Sequence, residues 1–189
     1  NGQNQTTTAT TPRGNQNGNG QRLADGTGAG QNNGQNNRNN AQMGRGTFAN
    51  MPPATEGELP EDVVALMIDG WEDEQMAFAT YEAIIDLFGE IRPFTAIQSA
   101  EAQHIDALEF LFDRYGIELP EVPVIDAPTF STVEEACAAG AAAEIANFAL
   151  YDEMMVTFAD YPDILQVAQA LRDASEFNHL PAFERCDGQ

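Results

Sequence analysis

The chain contains two histidines, and each stands three residues after a glutamate: Glu101-Ala-Gln-His104 and Glu176-Phe-Asn-His179. On a helix this spacing puts both side chains on one face, close enough to share a metal ion. Two further glutamates occupy positions that otherwise carry apolar residues. Glu74 lies in the series Val64, Met67, Trp71, Glu74, Phe78, Tyr81, Ile85, Phe88, whose alternating steps of three and four all face one way. Glu144 lies in the series Val133, Cys137, Gly140, Glu144, then Asn147 or Phe148, Tyr151 and Phe158. Glu101 and His104 are set in the same manner among Phe94, Ile97, Leu108, Leu111 and Tyr115. A carboxylate taken from water alone is costly, so core carboxylates are paired or bound to a cation. One Glu from each of two helices, and Glu-x-x-His from each of two others, is the ligand set of carboxylate-bridged dimetal helical proteins. The expected ligands are therefore Glu74, Glu101, His104, Glu144, Glu176 and His179, with Glu82 as the substitute for Glu74 if the register shifts. The plainer alternative is that neighbouring acids simply satisfy the two histidines. Tyr81 and Tyr151 lie on the same seams, as core residues, as hydrogen-bond donors to the ligands, or as a radical site.

Four helices must position these groups. The first is expected from about Pro60 to Phe88, ending at Gly89, and the second from about Pro93 to Tyr115, ending at Gly116. Ser131 or Thr132, followed by Glu134 and Glu135, forms a capping box that opens the third, which runs to about Asp160. Pro162 opens the fourth, expected to end near Leu180-Pro181. Short turns pair the helices into two antiparallel hairpins, and residues 117–130, with Pro120, Pro123 and Pro128, form an extended crossover between them. Two hairpins joined by one long crossover predict an all-α, ferritin-like antiparallel four-helix bundle. Measured from the turn at 161, Glu144 and the pair Glu176/His179 reach the same depth. From the turn near 90, Glu74 and Glu101/His104 agree more loosely. The apolar stripe of the fourth helix (Ile164, Ala168, Leu171) drifts away from Glu176 and toward Ser175 and His179.

The chain divides at about residue 56. Residues 1–56 are an Asn/Gly/Gln-rich, low-complexity arm that cannot bury enough apolar surface to fold alone, and residues 57–189 form the helical domain. The arm reads as a linker, or as a segment laid along a neighbouring copy, giving a homo-oligomer or polymer through residues 1–50. With 30 acidic residues against 8 basic ones, the net charge of −22 argues against nucleic acid and anionic membrane surfaces, and favours cations. No apolar run is long enough to span a membrane.

Several stretches resemble one family. Trp71-Glu-Asp-Glu74-Gln-Met-Ala-Phe-Ala-Thr-Tyr81, Ser99-Ala-Glu101-Ala-Gln-His104, Arg114-Tyr-Gly-Ile-Glu-Leu-Pro120 and Ala174-Ser-Glu176-Phe-Asn-His179-Leu-Pro-Ala-Phe183 are similar to an uncharacterised ferritin-like family of prokaryotes, over roughly residues 58–185. The resemblance implies a fold like that of rubrerythrin and bacterioferritin, two iron ions (or manganese, or a mixed iron/zinc pair), and oxidation of ferrous ions or reduction of peroxide. The chain departs from the acidic pattern on the third helix, where Ile145 and Asn147 stand in place of further acids. It also has no rubredoxin-like Cys-x-x-Cys module to donate electrons.

Cys137 lies seven residues before Glu144 and Cys186 seven after His179. In antiparallel helices both displacements point to the same end, so the two sulfurs are candidates for a disulfide, which implies an oxidising compartment; the alternative is two unrelated buried thiols in a cytosolic protein. A chain that begins at Asn1 and carries the sequon Asn4-Gln5-Thr6 agrees with an extracellular or cell-surface setting. The alternative function is that of a structural subunit of an extracellular filament or sheath, assembled through the arm, in which metal stabilises the fold.

Overall fold

The computed structural model describes residues 51–186. The arm over residues 1–50 and the sequon at Asn4 lie outside the described residues. Within them the chain is all-α: α1 (Glu61–Phe88), α2 (Phe94–Tyr115), α3 (Val133–Thr157), α4 (Pro162–Ala174), a π-helical turn (Ser175–His179) and a short α5 (Leu180–Glu184).

Local chemistry sets most of these limits. Pro60 precedes α1, and Glu61 and Asp62 occupy its first turn, where acids complement the helix dipole. Gly89 ends it with φ at 91°, in the region that favours glycine. α2 stops at Gly116, a left-handed residue with φ at 65°, and Ile117 N–H donates back to Phe112 O at 2.9 Å. Thr132 caps α3, its hydroxyl accepting from Glu135 N–H at 3.2 Å, while the Glu135 carboxylate accepts from Ser131 N–H at 2.8 Å.

The fourth helical stretch differs from expectation. It does not end at Leu180-Pro181 but continues to Glu184. Pro181 falls in the first turn after the π-helical segment, where the missing N–H removes no bond that the helix needs.

Two apolar clusters flank a polar layer. One joins Trp71, Leu108, Phe112, Met154, Phe158 and Leu171, among others, and the second joins Tyr81, Ile84, Phe94, Ile97, Cys137 and Phe183. On α1, α2 and α3, and at His179 in the π-helical turn, candidate ligands fall between the two. Glu74 lies between Trp71 and Tyr81, Glu101 and His104 between Ile97 and Ala107, Glu144 between Gly140 and Tyr151, and His179 between Leu171 and Phe183. The helices that carry them run antiparallel within each pair. Trp71 Nε1 donates to Glu109 Oε1 at 3.2 Å while Tyr81 packs on Phe94, and Cys137 is bonded to Cys186 across a Cα separation of 5.9 Å. Gly140 lets Phe183 approach, since a Cβ there would lie 2.8 Å from the ring. At the opposite end, fully buried Asp163 accepts from Tyr115 Oη at 2.8 Å and pairs with Arg114 at 3.1 Å. Arg114 in turn donates to Pro52 O at 2.7 Å, fastening the chain before α1. Among the described residues no helix is long and apolar enough to cross a membrane.

Candidate metal centre

The polar layer is built around one carboxylate. Glu101 Oε2 lies 2.8 Å from His104 Nδ1, and Glu101 Oε1 lies 3.3 Å from His179 Nδ1. Each histidine has a second carboxylate on the same nitrogen: Glu74 Oε2 at 3.1 Å from His104 and Glu144 Oε1 at 3.5 Å from His179. The two imidazoles stack, with centroids 5.6 Å apart and planes inclined by 27°. The result is two similar halves, Glu74 with His104 and Glu144 with His179, sharing Glu101. All five residues are buried, at 1–4 % exposure.

A tyrosine supports each outer carboxylate. Tyr151 donates to Glu74 Oε1 at 3.2 Å and Tyr81 to Glu144 Oε1 at 3.4 Å. Ser175 adds a hydroxyl donor to Glu144 Oε2 at 2.5 Å. These donors fix carboxylates that packing alone would leave free to rotate. Asp73, next to Glu74, accepts from Asn147 Nδ2 at 2.6 Å and lies within the electrostatic reach of Glu101 and Glu144.

Charge crowding shows in the proton affinities. Burial lifts Glu74 to about 8, against the pull of His104. His104 rises to about 10, because the carboxylates of Glu74 and Glu101 outweigh burial, which acts the other way. His179 rises to about 9, with Glu101 and Glu144 again overcoming burial. Burial opposes ionisation of Glu101, yet the two histidines hold it well below the usual carboxylate range. Burial, then Glu101 and Glu144, pushes Asp73 up to about 7. Burial and the same acids raise both Tyr81 and Tyr151, which stay protonated as donors.

Glu176 is not brought to this cluster. Its side chain is about a third exposed and pairs with Arg172 on the outer face of α4. The π-helical turn is the cause. In an α-helix residues i and i+3 share a face, but a π turn holds roughly 4.4 residues, which aligns i with i+4 and swings i+3 about 115° away. Ser175 and His179 therefore point inward together, and Glu176 does not. Glu82, the substitute considered for Glu74, is exposed. Asn147 binds Asp73 and Ile145 is exposed, so neither adds an acid to the layer.

The donor set fits a metal ion. One donor atom from each of Glu101, His104 and His179 lies within 4.8 Å of the others, and Glu74 and Glu144 extend this group on either side. Neighbouring donors around a metal at about 2.1 Å stand about 3.0–3.4 Å apart, and the contacts here span 2.8–3.5 Å. Both Nε2 atoms are buried without a hydrogen-bond partner among the described residues, so each imidazole commits its polar contacts to the Nδ1 side, where the carboxylates converge.

Fold and site together define an all-helical protein with a buried Glu/His group able to hold metal. The family described as an uncharacterized protein domain (DUF2202) matches residues 62–127, which take in Glu74, Glu101 and His104. Among solved structures, the chain is similar to a hypothetical protein of Methanococcus jannaschii, with 22% identity and a TM-score of 0.58, covering 70% of this chain and 83% of the other. That likeness is one of fold. No curated protein matches the chain.

Proposed function

We propose that residues 57–189 form a ferritin-like four-helix bundle that binds two divalent ions, iron or manganese, and acts on dioxygen or peroxide outside the cytosol. The observation that carries this reading is Glu101, which offers one oxygen to each of two histidines, each also faced by a second glutamate. The pairing supports the number two. Each half offers an outer carboxylate, an imidazole and one oxygen of Glu101, so each can hold one divalent ion once its protons have left.

His104 with Glu74 would hold one ion and His179 with Glu144 the other, with Glu101 between them. Iron bound there would supply electron transfer toward dioxygen or peroxide. The chain's own contribution is positional. Tyr151, Tyr81 and Ser175 orient the outer carboxylates, and the flanking apolar clusters exclude bulk water. The carboxylate and imidazole donors favour first-row divalent ions, and the Cys137–Cys186 bond fits an oxidising compartment.

Metal analysis and dioxygen and peroxide consumption by the purified full chain, compared with a Glu101→Ala, His104→Ala double variant, test the reading. Bound first-row metal and turnover in the wild type, both lost in the double variant, are expected. A wild-type protein free of metal after growth and purification with iron and manganese would sink it.

A further inference from the structure

The crossover does more than link the helix pairs. Together with α1 and α3 it lines a half-open cavity of about 440 Å³, within the usual range for small-molecule sites. α3 presents it with a row that lacks bulk: Ala136, Ala139, Gly140, Ala143 and Ala146. Ile84, Ile125 and Phe130 add apolar wall. The space is long. On α1 it extends from Asp73 to Ile84, about 16 Å at the helical rise of 1.5 Å per residue.

Its polar lining is Asp73, Thr80, Tyr81, Asp126 and Asn147, rich in acceptors and with two carboxylates. Asp73 and Asn147 stand together at one end, joined by the 2.6 Å bond from Asn147 Nδ2 to Asp73 Oδ2. That bond engages the Asn147 amide as donor, which leaves Asp73 Oδ1 and Asn147 Oδ1 as acceptors. Among the described residues no Lys, Arg or His lines the cavity. An anionic head would meet these acceptors, the nearby carboxylates and a net charge of −22. A head that donates hydrogen bonds meets none of these objections.

The cavity lies beside the candidate metal centre, although none of the five clustered residues lines it. Tyr81 forms part of its wall and donates to Glu144, and Asp73 is the chain neighbour of Glu74. A molecule seated here lies beside the layer and is separated from it by side chains that orient the ligands.

We infer that this cavity binds an aliphatic molecule with a hydrogen-bond-donating head, an alkyl amine or alcohol, its head on Asp73 and Asn147 and its chain along the alanine row of α3. This names a ligand class for a site beside the proposed centre. Only the chemistry after binding rests on the metal reading, because the cavity is formed by protein alone.

Calorimetric titration of the full chain, metal-free and metal-loaded, with decylamine, decanol and decanoate below their micelle concentrations tests it. Saturable one-to-one binding of the amine and the alcohol to the metal-free protein is expected, with decanoate at least about tenfold weaker. Asp73→Asn should weaken decylamine about tenfold and leave decanol within about threefold, since only the amine loses a charged partner. Ala139→Leu, which fills the cavity without changing surface charge, should abolish binding of both. Ala143→Leu, at an exposed position, serves the same purpose if Ala139→Leu melts early. Decanoate binding as tightly as the amine, no saturable binding of either donor, or binding untouched by a folded leucine variant would each overturn the proposal. Because the metal-free protein is titrated, these results do not depend on whether the centre takes metal.

Discussion

Loading the polar layer with metal releases protons, because burial and the crowded carboxylates keep Glu74, His104 and His179 protonated near neutrality. In the metal-free protein Glu74 titrates at about 8, His179 at about 9 and His104 at about 10, so all three hold a proton at pH 7. Each must give it up to serve as a ligand. The expected release is about three protons per chain at pH 7, and Asp73, at about 7, adds up to about half a proton more. At pH 9 Glu74 has ionised and His179 is half titrated, so the release falls to about one and a half. Three protons couple metal affinity to pH at about 4 kcal/mol per pH unit near neutrality. Calorimetry of manganous ion binding in buffers of different ionisation enthalpy, at pH 7 and pH 9, reads the count directly. Fewer than one proton at pH 7, or a release that does not decline by pH 9, would refute the linkage between these carboxylates and imidazoles.

The same groups set the stability of the metal-free fold. The folded state holds His104 and His179 above their ordinary value and Glu74 above its own. The Glu74 contribution is therefore complete below about 4.5 and gone by about 8, and those of the histidines decline from about 6.5 and are gone by about 9 to 10. The metal-free melting temperature should fall between pH 6 and pH 9, a fall that saturating manganese removes. Glu101→Gln should abolish metal retention in both halves, whereas Glu176→Gln, on the outer face with Arg172, should leave the metal-to-protein ratio unchanged in elemental analysis. Gly140→Ala drives a methyl to within 2.8 Å of the Phe183 ring, and urea denaturation should show a loss of about 1–3 kcal/mol.

Glu101 and His104 were legible because an unbroken α-helix converts their i, i+3 spacing into one face. Glu74 and Glu144 were legible because each interrupts an apolar seam with a charge. Glu176 was misplaced for a definite reason. Spacing predicts geometry only while the helix keeps its period, and the turn at Ser175–His179 changes that period from within. Nothing in Ser-Glu-Phe-Asn-His announces a π turn, although the drift of the Ile164, Ala168, Leu171 stripe toward Ser175 was its trace. The role of Ser175 on Glu144 was hidden for the same reason. Asp73 was missed because it sits in the acidic run Glu72-Asp73-Glu74, where only one position in three belongs to the seam. The end of the last helix was placed too early because Pro181 reads as a stop unless it comes after a break in the hydrogen-bond ladder.

Anomalous diffraction from crystals of the protein grown with manganese tests the central claim most directly. Two peaks are predicted, one among Glu74, Glu101 and His104 and the other among Glu101, Glu144 and His179, with no contribution from Glu176. An empty layer, in which the two imidazoles keep direct hydrogen bonds to Glu101, would contradict it.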